Sequence, residues 1–263
     1  MLRVGALLLI LLTAVCPDRA AAGAWTREEG DGLFIFSSGR QVAPVSAFAS
    51  GLSEEDSNTT QVLVEYGLFD DLTLGATLFA DISTNDISDG TLSAGLFARK
   101  RLWQGEASLI SAQLGYAHPL EELVSDAFDA SSIDSAPEIE MRLLYGHSLW
   151  GDWGSAFASV ETGYDLFLED REDEIRADLT LGYQPWRCCL FLMSTFGTLP
   201  TGDDDPSFKI APSFAYTLWP DIDRNAKKPE GPVRPRTIQI GINYDLLNSD
   251  DGLGIQVSVW RRF

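Results

Sequence analysis

Histidine and cysteine are scarce in this chain, with two and three copies in 263 residues. Basic residues are also few, 19 lysines and arginines against 39 aspartates and glutamates, for a formal charge of −20. That balance argues against nucleic acid and anionic lipid as partners, because both are held by cationic side chains. A disulfide-stapled secreted module is excluded as well. Cys16 falls in the leader, and Cys188 and Cys189, neighbours in an extended segment, are expected to point to opposite faces and to make poor partners for each other. Beyond Val4 to Val15 no stretch approaches the roughly twenty apolar residues a membrane helix needs. A membrane protein made from this chain must therefore cross with strands, and those strands must close into a barrel to leave no unpaired backbone in lipid.

The N-terminus carries an export pattern. Arg3 precedes the apolar run, and "DRAAAGAW" (18–25) spaces small residues for cleavage after Ala22 or Ala24. Residues 1–24 are read as a signal peptide and 25–263 as one β-barrel domain. Val15 stands before Cys16 where a lipoprotein signal requires a small residue, so lipidation is not expected.

Period-two alternation dominates what remains. In "TQVLVEYGLFDDLTLGATLFAD" (60–81) Val62, Val64, Tyr66 and Leu68 alternate with Gln61, Leu63, Glu65 and Gly67, and the pattern resumes after Asp70 and Asp71. Comparable hairpins surround "WQGE" (103–106), "WGDW" (150–153) and "WRC" (186–188), and three further strands run to the C-terminus. With a first strand near "GLFIFSSG", the count is about twelve strands of roughly ten residues, the length of a tilted transmembrane β-strand. The expected fold is all-β: a transmembrane, antiparallel, up-and-down barrel.

A soluble sandwich would show the same alternation, so the connections decide. One set is short and holds Trp103, Trp150, Trp153, Trp186 and Trp219, with Trp260 beside the C-terminus. The other set is acidic: "SEEDSN", "LEELVSDAFDASSID", "EDREDE", "TGDDDP" and "NSDD". Outer-membrane barrels sort their connections in this way, with short periplasmic turns, long external loops and an aromatic girdle. The predicted location is the cell outer membrane.

The last strand, "LGIQVSVWRRF" (253–263), puts Leu253, Ile255, Val257 and Val259 on one face and ends on Phe263. It resembles the C-terminal signal read by the barrel assembly machinery, which implies that Ile255, Val257, Val259 and Phe263 form an assembly signal. "VEYGLFDDLTLGA" (64–76) and "GAWTREEGDGLFIFSSG" (23–39) are similar to segments of the porin-like family associated with the meta-pathway of phenol degradation. That resemblance implies an outer-membrane transporter for hydrophobic or aromatic compounds.

The polar strand faces direct Glu65, Asp81, Arg99, Glu140, Arg142, Glu161, Asp165, Arg176, Asp178, Lys209 and Asp245 toward the lumen. Two readings stand side by side: a water-filled passage for small solutes, or a salt-bridged interior that only holds the barrel shut. Outer-membrane lipid and lipopolysaccharide are expected partners. The acidic loops offer hard oxygen ligands that could bridge through divalent ions to lipopolysaccharide phosphates, but no calcium-loop spacing is present. No cofactor and no metal are expected, and solvated, mutually repelling loops account for the charge. Catalysis is not expected either. His147 and Ser148 are neighbours on a strand and face opposite ways, and His118 has no nucleophile at a recognisable spacing. "WPDIDRNAKKPEGPVRPR" (219–236), rich in proline and locally basic, reads as a flexible periplasmic loop.

Overall fold

A computed structural model describes residues 24–42, 57–83, 90–120, 136–169, 171–218, 235–248 and 253–263. The described residues form twelve antiparallel strands in one closed barrel, each paired with its neighbours in sequence. The strands are β1 (Gly32–Val42), β2 (Ser57–Phe69), β3 (Leu72–Ser83), β4 (Gly90–Gln104), β5 (Ser108–Pro119) and β6 (Glu138–Gly151). The second half comprises β7 (Gly154–Phe167), β8 (Glu174–Trp186), β9 (Cys189–Pro200), β10 (Ser207–Leu218), β11 (Arg236–Asp245) and β12 (Leu253–Arg262).

The alternating pattern has a simple physical outcome. Leu96, Leu114, Leu143, Ile240 and Val257 stand on the outer surface and stay exposed, while Glu65, Arg99, Asp165 and Ser258 on the opposite registers are buried. A soluble protein would not leave so many large apolar side chains uncovered; a lipid-facing wall requires it. Among the described connections, the short ones lie at one end: Asp70 and Asp71, residues 105–107, Asp152 and Trp153, and Arg187 and Cys188. We call this the turn end and the opposite rim the loop end. Trp103, Trp150, Trp153 and Trp186 are all about half exposed or more at the turn end, and the Trp153 ring stacks on Tyr183. Trp260 does not join them: it shares the inward register of Ser258.

Closure depends on β1 and β12. Gly32 and Phe263 exchange two backbone hydrogen bonds of 2.8 and 3.0 Å, and a Cβ at Gly32 would collide with the Phe263 ring. The terminal aromatic thus covers a bare stretch of backbone on the outer face. One seam is weaker: around Ala211 and Pro212 the β10 ladder to β11 is interrupted, because proline brings no N–H to it.

Two features differ from the reading of the sequence. The Cys188 and Cys189 sulfurs lie 3.1 Å apart on one side, as free thiols, because Cys188 sits in the turn and not in an extended strand. The barrel wall begins at Gly32, while residues 24–31 leave it and enter the bore. The acidic segments at 120–134 and 248–251, and the basic loop at 219–236, fall largely outside the described residues.

Candidate functional site

The eleven charged residues singled out in the sequence all occupy inward registers. Glu161 pairs across to Asp178 and Asp178 to Phe196; Lys209 pairs with Asp245; Arg142 lies opposite Gln113, and Gln113 opposite Arg99. Arg99 on β4 bonds Glu65 on β2, and Arg142 on β6 bonds Asp178 on β8. Each of these bonds skips a strand, which side chains achieve on the concave inside of a barrel, where they converge.

These groups form one continuous chain. The Arg99 Nε and Nη2 atoms donate to Gln113 Oε1 at 2.9 and 2.8 Å, and Gln113 Nε2 donates to Glu140 Oε1 at 2.5 Å. Glu140 in turn meets Arg142 at 3.0 Å, and Arg142 reaches Asp178 at 3.3 Å and Glu161 at 3.8 Å. A second group sits nearer the loop end: fully buried Asp165 pairs with Arg176, which also reaches Glu174 at 3.4 Å. Asp81 and Lys209 lie elsewhere on the inner wall, and Asp245 accepts backbone N–H bonds from Phe208, Leu247 and Asn248.

Seven of the eleven are acids and four are bases. The structure adds Glu138 and Glu174 to the inner acids, and both could have been read from the same alternation. Arg101 and Arg262 are inner bases too, but they lie at the turn-end termini of their strands. Among the described strand residues nine inner acids thus face six inner bases, with Arg27 of the N-terminal segment a seventh, a small negative excess.

The bore is not filled throughout. Phe196 points inward between Asp178 and Lys209, yet it remains 43% exposed, so open space surrounds its ring. Toward the turn end the situation reverses. The segment 24–31 leaves β1 through Gly30, whose φ of +82° suits glycine, and crosses to β5, β6 and β7 on the far side of the wall. Arg27 donates from Nε to Glu65 Oε2 at 2.7 Å, and its backbone N–H donates to Thr73 Oγ1 at 2.7 Å. The Trp25 ring meets Phe157 edge-on and packs against Leu109 and Leu144, while Ser111 donates to the Ala24 carbonyl at 2.7 Å. Glu65 is thus shared between Arg27 of the crossing segment and Arg99 of the wall. No periodicity in the sequence marks this crossbar; its trace is the placement of Gly67 and Gly146.

The histidines lie on the outside. His147 Nδ1 is 2.6 Å from Ser108 Oγ on the neighbouring strand, while Ser148 is buried on the inner face. His118 meets the Tyr116 hydroxyl at 3.2 Å on the outer surface. Among the described residues no group of three or more His, Cys, Asp or Glu side chains is arranged to hold a metal ion.

No protein-family profile matches the sequence, and no curated protein matches it. Solved structures do match. The COG4313 outer membrane channel from Pseudomonas putida F1 superposes with a TM-score of 0.58 at 12% identity, covering 94% of this chain and 100% of that one. The NanC porin gives 0.57 at 9% identity over 88% and 98% of the two chains. The KdgM porin gives 0.51 at 7% identity, also over 88% and 98%. At these identities the likeness establishes the fold: a porin-like, closed twelve-stranded β-barrel.

Proposed function

We propose that this protein is an outer-membrane channel for small solutes that favours cations. The observation carrying the proposal is the open bore at Phe196, set among inner carboxylates that outnumber the bases. In a narrow passage with low-dielectric walls, an excess of fixed negative charge concentrates cations and repels anions. One KdgM porin structure is described as a complex with oligogalacturonate, a polyanion. The charge of the present bore is opposite to what such a ligand needs, so acidic oligosaccharides are not its expected cargo. Inward Phe79, Phe97 and Phe196 supply apolar surface, which supports solutes with an aromatic or hydrophobic body.

The same reading places the chain in the outer membrane, with the turn end periplasmic and lipopolysaccharide around the loop end. Recognition by the barrel assembly machinery through Ile255, Val257, Val259 and Phe263 goes with it. No catalytic residue is assigned. Purified protein in planar bilayers under a potassium chloride gradient tests the channel: a reversal potential of the cation-selective sign supports it, and silent membranes containing folded barrel overturn it. A sealed structural barrel is the second reading, favoured by the crossbar at the turn end, and silent membranes would select it.

A further inference from the structure

We propose that residues 25–29 are the size-limiting constriction of the bore, with Trp25 and Arg27 as its selectivity-determining side chains. The proposal rests on the channel reading. A twelve-stranded barrel encloses more space than its inner side chains need fill, as the exposed Phe196 ring shows nearer the loop end. Among the described residues, backbone enters that space only at the turn end, and it crosses from β1 to the opposite wall at β5 to β7, half the circumference away.

The wall is shaped to receive it. A Cβ at Gly67 would strike the carbonyl oxygens of Glu28 and Arg27, and one at Gly146 would strike the Trp25 indole. Both glycines occupy inward registers, Gly146 in an unbroken ladder and Gly67 at the register shift that ends β2, and glycine in a strand marks a bulge or a close approach. Here the approaching group is the crossbar. Its anchoring spans the bore as well: Arg27 to Glu65 and Thr73 on one side, Ala24 to Ser111 and Trp25 to Gly146 and Phe157 on the other. A loose terminal tail would have neither the two seats nor the two-sided attachment.

The test compares the parent with three variants, each checked for heat-modifiable migration as a folded barrel. Trp25→Gly with Arg27→Ser strips the crossbar of its bulk and its latch. Gly67→Val keeps the segment's sequence and evicts it by collision. Ala24→Cys with Ser111→Cys, made in a chain cut after Ala22 so that residue 24 is retained, ties it in place through a disulfide. Single-channel conductance and liposome swelling with sugars of increasing size are read for all four. We expect the first two variants to conduct several-fold better than the parent and to admit larger sugars, and the oxidised third to match the parent. If the first two keep the parent's conductance and size limit, the constriction lies elsewhere and the inference fails, while the channel reading stands. If parent and variants are all silent, both readings fail. If the parent is silent and the first two conduct, the segment is a seal and not a size-limiting constriction, and the channel reading of the resting protein fails with the inference. Loss of conductance on locking the third variant would overturn a fixed constriction, because passage would then need the segment to move.

Discussion

Arg142 is the hub of the inner wall: one guanidinium, largely withdrawn from solvent, serves Glu140, Glu161 and Asp178. Removing it leaves three carboxylates facing one another without a counter-charge, and breaking a buried ionic group in this way costs about 3 kcal/mol or more. Arg142→Met is therefore expected to lower the denaturant midpoint for unfolding from lipid vesicles, whereas Lys100→Met, which removes an exposed pair with Asp71 at the turn end, is expected to change it little. Outside the membrane span, Glu172 in the β7–β8 loop offers a pH test. Its carboxylate accepts backbone N–H bonds from Asp203 and Asp204 in the β9–β10 loop, which hold its pKa below the ordinary glutamate value. A depressed folded pKa means the loop-to-loop contact is complete above the unfolded value, about 4.3, and is lost as the pH falls through the folded one. The protection factors of the Asp203 and Asp204 amides, each measured against the intrinsic exchange rate at the same pH, should be high at neutral pH and fall only in acid. Glu172→Gln should lower those protection factors at neutral pH.

At the scale of the element, the closing strand depends on its last residue. The Phe263 ring lies over Gly32, and the two residues complete the β1–β12 ladder at the turn end. Deleting Phe263 removes both the ring and the final pair of hydrogen bonds. The expected result is a clear drop in the fraction of heat-modifiable barrel formed in vesicles. Gly32→Leu should produce a similar defect with the C-terminus intact, since its side chain takes the place of the ring. An unchanged folded fraction for both would remove Phe263 from the closure. Most strands could be read from the sequence because each carries its own period-two signal: Val62, Val64, Tyr66 and Leu68 needed no partner to show which face was oily. The Asp70–Asp71 and Asp152–Trp153 turns were equally plain. The Cys188–Cys189 geometry was not, since a turn that claims the first cysteine reverses the orientation that an extended strand would impose.

For the molecule as a whole, selectivity belongs to the summed field of the bore. Glu161→Gln with Asp178→Asn removes two carboxylates of the inner wall, the second of them the register partner of Phe196. Measured under the same salt gradient, the reversal potential should move toward zero, with the conductance pathway retained. An unmoved potential would mean that these acids are fully compensated by Arg142 and Arg99. Inward position could be read for every one of the eleven residues, because alternation alone assigns a face. Which of them touch, as Arg99 does Glu65 across an intervening strand, could not.

The amino-acid sequence by itself determined the strands, their faces, the sorting of turns from loops, and thereby the closed barrel. All of these follow from local periodicity and from the need of each apolar face for lipid. Tertiary structure alone decided that residues 24–31 turn inward across the bore, that Glu65 is shared between crossbar and wall, and that space remains around Phe196. The reason is physical: a crossing segment without secondary structure has no repeat to betray it. Its place is fixed by glycine seats and hydrogen-bond partners that come together only once the wall has closed.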